Sequence, residues 1–224
     1  MTQRKTVITI LTTLLLQWSI IALAAQSLPL PQQEVESITR RLLATFQSNV
    51  ERYKKDDSAF LTEVDRQLSP VVAFDEIARS VMGRYARTAT PAQIAQFSQV
   101  FKNSLINFYG KALLTIDDTQ ASIESVDAVP ESVLRDYHAG KSRLVPVNMT
   151  AKTSSGTVAI TYSMIFADGR WKLRNVIVDG INIGIQFRNQ FAEAMNRHNS
   201  IQYVIDHWSQ LMQGVAVDKS GKKS

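Results

Sequence analysis

The chain has no cysteine. That single absence excludes a disulfide framework, a thiolate metal site, an iron–sulfur centre and a cysteine nucleophile. Proline and glycine are sparse, 6 and 9 among 224 residues, so fibrous and low-complexity architectures are excluded as well. Histidine occurs only at His138, His198 and His207, and the last two are not at the i, i+4 spacing that sets two metal ligands on one helix face. There is no G-x-S-x-G nucleophile elbow, no G-x-x-x-x-G-K-S/T phosphate loop and no G-x-G-x-x-G opening a helix. Beyond the first 25 positions no apolar run approaches the roughly 20 residues that a membrane span needs.

What is present is a globular composition: 45% hydrophobic and 20% charged residues, in a chain long enough to bury a core unaided. Arg4 and Lys5 precede a largely apolar stretch over residues 7–16, and Ala22 and Ala24 place small residues at the recognition positions of a cleavage site. This pattern predicts a signal peptide over 1–24, cleaved before Ala25. Gln17 and Ser19 interrupt the apolar run, which argues against retention as an anchor. Loss of Arg4 and Lys5 lowers the formal charge of +5 by two, to +3, and Lys219, Lys222 and Lys223 fall in a basic flexible tail expected over 216–224. With so small an excess on an exported chain, nucleic acid is not expected as a partner. A weakly basic surface suits an anionic membrane or an acidic partner instead.

Periodicity divides the expected domain, 25–215, into helices, then a sheet, then helices. Val35, Ile38, Leu42, Phe46 and Val50 recur at helical spacing over 32–55. Asp56-Asp57-Ser58 caps a second helix that presents Phe60, Leu61 and Val64 and stops at Ser69-Pro70. A third, short helix is predicted over 71–83, ending at Gly83. Thr90, Pro91 and Gln93 form the clearest start, a capping box with proline in the first position. From there Ile94, Phe97, Phe101, Leu105 and Phe108 mark a long helix to about residue 116. Alternation then takes over, with strands predicted over 121–128, 144–153, 156–167 and 170–178 and a connecting segment over 130–140. Ser154-Ser155-Gly156 and Asp168-Gly169 are hairpin turns, and Pro146 should direct its missing N–H to solvent, a bulge or an edge. Two helices, 181–198 and 200–213, close the chain. The fold class is α+β: a twisted antiparallel sheet of about four strands covered by helices.

Little in this pattern carries chemistry. Asp56-Asp57 and Asp117-Asp118 stand at helix ends or turns, where capping explains them better than metal binding. Asn148-Met149-Thr150 matches a glycosylation sequon but lies inside a predicted strand. Abundant instead are apolar faces: Val145, Val147, Met149 and Ala151 on one strand, Val158, Ile160, Tyr162, Met164 and Phe166 on the next. Periodicity alone does not separate a filled core from the lining of a cavity.

Two blocks are more specific. The first runs from Leu68-Ser69-Pro70 to Met82-Gly83-Arg84-Tyr85, then Thr88-Ala89-Thr90-Pro91-Ala92-Gln93 and Phe97. The second runs over 158–162, then Asp168-Gly169-Arg170-Trp171-Lys172-Leu173, Val176-Ile177-Val178-Asp179-Gly180-Ile181 and Phe187-Arg188-Asn189-Gln190-Phe191. On these residues, and over about 32–213, the chain resembles the MlaC family of toluene-tolerance auxiliary proteins. The resemblance implies an NTF2-like fold with an internal apolar cavity and a non-enzymatic, monomeric phospholipid carrier in the periplasm. Its implied partners are phospholipid, an outer-membrane lipoprotein complex and an inner-membrane ABC transporter complex carrying an MCE-domain protein. Traffic between them would maintain outer-membrane lipid asymmetry, with phospholipid as cargo and no cofactor.

A diacyl phospholipid presents roughly 30 methylenes at about 0.8 kcal/mol each, so both tails must be hidden from water. On this reading the expected pocket residues are Phe97, Phe101 and Leu105 on the long helix with Val147, Met149, Ile160, Tyr162 and Met164 on the sheet. Ile181, Ile183 and Ile185, beside Gly180 and Gly184, are the expected movable rim. The alternatives are a carrier of hopanoid or another apolar ligand, a protein-interaction or chaperone module, and an NTF2-like enzyme using Asp179 or His138.

Overall fold

Hairpins build the frame. The computed structural model describes residues 29–115 and 121–212. In it, strands β1 (Ser122–Val126), β2 (Val145–Thr153), β3 (Gly156–Ala167), β4 (Arg170–Val178) and β5 (Ile181–Asn182) form one antiparallel sheet in chain order. At the β3–β4 turn Asp168 and Gly169 have φ of +51° and +76°, both positive as a type I′ hairpin requires. Asp179 and Gly180 repeat the device at +48° and +81° and add the short β5, so the sheet has five strands where about four were expected. Pro146 pairs with Ser163 of β3 beyond the last β1 contact at Met149, so no β1 acceptor faces its absent N–H.

The helices are α1 (Pro31–Lys55), α2 (Asp57–Leu68), α3 (Phe74–Met82), a 3-10 turn (Gly83–Arg87), α4 (Pro91–Thr115), α5 (Glu131–His138), α6 (Ile183–His198), α7 (Ile201–Asp206) and α8 (Trp208–Leu211). The capping box forms: Gln93 N donates to Thr90 Oγ1 (3.2 Å) and Thr90 N to Gln93 Oε1 (3.0 Å). Asp56 caps α2 by accepting from Ala59 N at 3.1 Å. The segment read as a connection, 130–140, holds helix α5. Helix α3 starts later than predicted because residues 71–73 are drawn onto β4: Ala73 N donates to Leu173 O and Leu173 N to Val71 O, each at 2.8 Å. Residues 181–182 belong to β5 rather than to the helix that follows, and the last predicted helix breaks at His207. The expected leader (1–24), the Asp117-Asp118 turn and the tail (216–224) lie outside the described residues.

Cross-strand pairing defines one inner face. Val147 lies opposite Tyr162 and Tyr162 opposite Val176; Met149 lies opposite Ile160 and Ile160 opposite Val178. On the outer face Thr161 Oγ1 donates to Asn148 Oδ1 at 2.9 Å. The inner face is covered unevenly. Over β2 and β3, Val35 of α1 and Val133, Leu134 and Tyr137 of α5 pack on the sheet with Trp171, and Phe166 N donates to the Tyr137 hydroxyl at 2.7 Å. A second cluster joins α3, α4, α6, α7 and α8 around Phe97, Phe101, Phe187, Phe191 and Trp208. A third, with Tyr53, Phe60, Val64 and Ile106, ties α1 and α2 to α4.

Candidate functional site

The inner face is not filled along its whole width. Between β4 and helices α2, α3, α4 and α6 lies a cavity of about 360 Å³. Its floor is Leu173, Val176 and Val178 of β4; Val64 and Leu68 come from α2, Phe74 and Ile77 from α3, Phe101, Leu105 and Ile106 from α4, and Ile183 and Phe187 from α6. Among the described residues only Arg174 and Asn175 bring charged or amide side chains to this lining. A sealed dry void of that size would cost on the order of 9 kcal/mol at about 24 cal/mol per Å³. This one is open, but apolar walls left to water are unfavourable for the same reason.

A β-bulge makes the floor. Ser163 pairs with Asn175 and Met164 with Leu173, so Arg174 is the extra residue on β4. Without the bulge, Leu173 and Asn175 would share a face. With it, Leu173 is followed on the inner face by Val176 and Val178, and Arg174 and Asn175 are brought to the cavity wall. Asn175 then fastens the start of α6: Gly184 N donates to Asn175 Oδ1 at 3.0 Å, and Asn175 Nδ2 donates to Asn182 Oδ1 at 3.1 Å. Asn182 also caps α6 by accepting from Ile185 N. A Cβ at position 184 would lie 2.4 Å from Asn175 Oδ1, so a larger residue there would displace the Asn175 amide from its bond to the helix start.

Of the residues expected in the pocket, Phe101, Leu105 and Ile183 line the cavity. Phe97 does not. It is fully buried in the aromatic cluster, edge-on to Phe191 (5.0 Å) and to Trp208 (5.1 Å). Val147, Met149, Ile160, Tyr162 and Met164 lie on the same inner face but outside the cavity, toward β2 and β3, where α1 and Trp171 already cover them. Thr39 of α1 hydrogen-bonds the Tyr162 phenol. Burial pushes that phenol above its ordinary pKa, and the Thr39 bond offsets part of the shift, so Tyr162 remains neutral at any physiological pH. Ile181 and Ile185, which flank Ile183 in the chain, are 41% and 46% exposed.

The β4 and α2–α3 walls escaped sequence reasoning. One signal was present: apolar Leu173 and Val176 stand an odd number of residues apart, which breaks the strand period and marks the bulge. The groups weighed for catalysis, Asp179 and His138, lie outside this lining. Asp179 Oδ1 accepts from Ala159 N (2.9 Å) and its own N–H donates to Ala159 O (2.8 Å), which holds the β4–β5 turn. His138 ends α5 beside Tyr137. Among the described residues no three His, Cys, Asp or Glu side chains group closely enough to hold a metal ion.

The MlaC family model matches residues 36–210, a stretch that contains every wall of this cavity. The chain belongs to the MlaC family. It is 37% identical over 198 residues to the toluene tolerance protein ttg2D of Pseudomonas putida, covering 88% of this chain and 86% of that one. Among solved structures it is similar to the phospholipid-binding protein from Ralstonia solanacearum, determined in complex with a phospholipid. The TM-score is 0.67 at 21% identity, covering 82% of this chain and 97% of that one. At that identity the likeness establishes a shared fold, the α+β class that the helices-then-sheet order predicted and the fold that the family resemblance implied.

Proposed function

We propose that this MlaC protein is exported behind a cleaved leader over 1–24 and binds a diacyl phospholipid by its tails. It would carry that lipid across the periplasm between an outer-membrane lipoprotein complex and an inner-membrane ABC transporter complex. The observation that carries the reading is the apolar cavity over β4, on a fold shared with a protein solved around a phospholipid. Among the described residues no helix is long and apolar enough to cross a membrane. Exposing both tails in water costs on the order of 25 kcal/mol, from roughly 30 methylenes at about 0.8 kcal/mol each. Enclosure makes exchange with a bilayer close to neutral, so contact with a partner decides the direction.

A cavity of 360 Å³ is at the low end of ligand sites, which run to about 1,000 Å³. Taking in both tails therefore widens it. The exposed Ile181 and Ile185, either side of the lining residue Ile183, form the apolar rim over which tails pass.

Gentle purification followed by native mass spectrometry and lipid extraction tests the proposal. The expected result is about one diacyl phospholipid per chain. Extraction of a hopanoid instead would keep the cavity and change the cargo. Protein that is lipid-free and takes nothing from labelled liposomes refutes the carrier. A Val176→Trp substitution, which projects an indole from the cavity floor, should reduce recovered lipid several-fold while leaving a folded protein, at an overpacking cost of about 1–3 kcal/mol.

A further inference from the structure

A guanidinium in the wall of an apolar cavity needs an explanation. Among the described residues Arg174 is the only cationic one in that lining, and its side chain is 31% exposed. Its nearest ionic neighbour is Glu76 on the first turn of α3, at 3.9 Å, which is outside hydrogen-bond distance. Among the described residues its guanidinium makes no hydrogen bond. The other well-placed cations differ. Arg188 donates to Ser80 O (3.0 Å) and Ser80 Oγ (3.1 Å), and Lys102 is held by Asp65 at 3.0 Å. Arg174 is also the bulged residue of β4, and bulges of this kind re-aim a side chain. Placing a guanidinium in an otherwise apolar wall carries a desolvation cost that a partner has to offset.

We propose that Arg174 takes the anionic phosphodiester of the lipid whose tails fill the cavity. This rests on the carrier reading given above. The planar fork of arginine matches two phosphate oxygens, and a charge-assisted bidentate pair is about twice as strong as neutral hydrogen bonds. Glu76 holds the guanidinium loosely while the cavity is empty and gives way to the phosphate. Arg174 therefore fixes which end of the cargo stays at the wall and favours phospholipid over neutral lipids with the same tails.

The test uses the full mature chain, delipidated, with wild type, R174Q and E76Q titrated against dioleoyl phosphatidylglycerol, dioleoylglycerol and inorganic phosphate. Tryptophan fluorescence is the readout, since Trp208 packs on the cavity-wall rings of Phe101 and Phe187. The wild type should prefer the phospholipid to the diacylglycerol by about ten-fold or more, the size expected of a charge-assisted pair. R174Q should lose that preference and keep its diacylglycerol affinity, which also shows that its cavity is intact. E76Q, freed of the competing carboxylate, should bind phospholipid about threefold more tightly by the same charge argument. An R174Q protein that still prefers phospholipid overturns the proposal. So does a wild type that binds both lipids equally, although the carrier reading then survives; binding of neither lipid ends both. If R174Q fails to fold, an unchanged phospholipid affinity in E76Q overturns the proposal by itself. Saturation by inorganic phosphate alone, abolished in R174Q, would make this a free-anion site and overturn the lipid assignment.

Discussion

Phe97 and Phe101 lie one turn apart on α4, and both are fully buried. They differ in what stands beyond the ring. Phe97 faces only Phe101, Phe191, Trp208 and other core residues, whereas Phe101 is also a wall of the cavity. Truncating either to alanine in the empty protein should cost about 3–5 kcal/mol, the usual price of a buried phenylalanine. Lipid should separate them. The hole left by Phe97→Ala is sealed, with Phe101 between it and the ligand, so a bound tail does not reach it. The hole left by Phe101→Ala opens into the cavity, where it admits two or three methylenes at about 0.8 kcal/mol each. About 2 kcal/mol of the loss is thereby recovered, which for a domain of this size is about 4–8 °C in Tm. Thermal unfolding of both variants, delipidated and reloaded with phospholipid, measures the difference directly. An equal lipid response in the two variants would refute the placement of the cavity wall at Phe101.

Three further expectations follow from the same geometry. Asn175→Ala removes the acceptor of Gly184 N and the donor to Asn182; it should cost about 1–3 kcal/mol and speed lipid exchange with liposomes, because the start of α6 is freed beside Ile183. Glu63 is held down to about 2 by hydrogen bonds from Arg66 and Gln67. Its folded pKa lies below its unfolded value, so its small surface contribution is complete above about pH 4.5 and is lost as pH falls toward 2; acid denaturation of Glu63→Gln should show a shallower slope across that window. Asp179→Asn keeps an acceptor and tolerates φ of +48°, so it should leave Tm and lipid binding nearly unchanged. Asp179→Ala should lose about 1–2 kcal/mol by calorimetry.

Local signals in the sequence were enough for most of the elements. The Thr90–Gln93 capping box, the Asp56 cap and the Asp168-Gly169 turn each depend on a few adjacent residues, and each forms as its residue types dictate. The strands over 156–167 and 170–178 needed only alternation between turns. The inner face of the sheet was legible as well, since Val147, Met149, Ile160, Tyr162 and Met164 do share it. Helix α5 was not, because Glu131–His138 is only eight residues long and its stripe of Val133, Leu134 and Tyr137 spans too few turns to establish a period.

Which half of that inner face stays hollow was settled in three dimensions. The same kind of side chain fills space under α1 and Trp171 over β2 and β3, and lines empty space over β4, and nothing in a valine or a phenylalanine announces which neighbour will arrive. The answer depends on long-range pairings: residues 71–73 hydrogen-bonding to Leu173, and the Arg174 bulge resetting the register against β3. Composition and period are local quantities, whereas a void is the absence of a partner, and only the assembled helices determine where that absence falls.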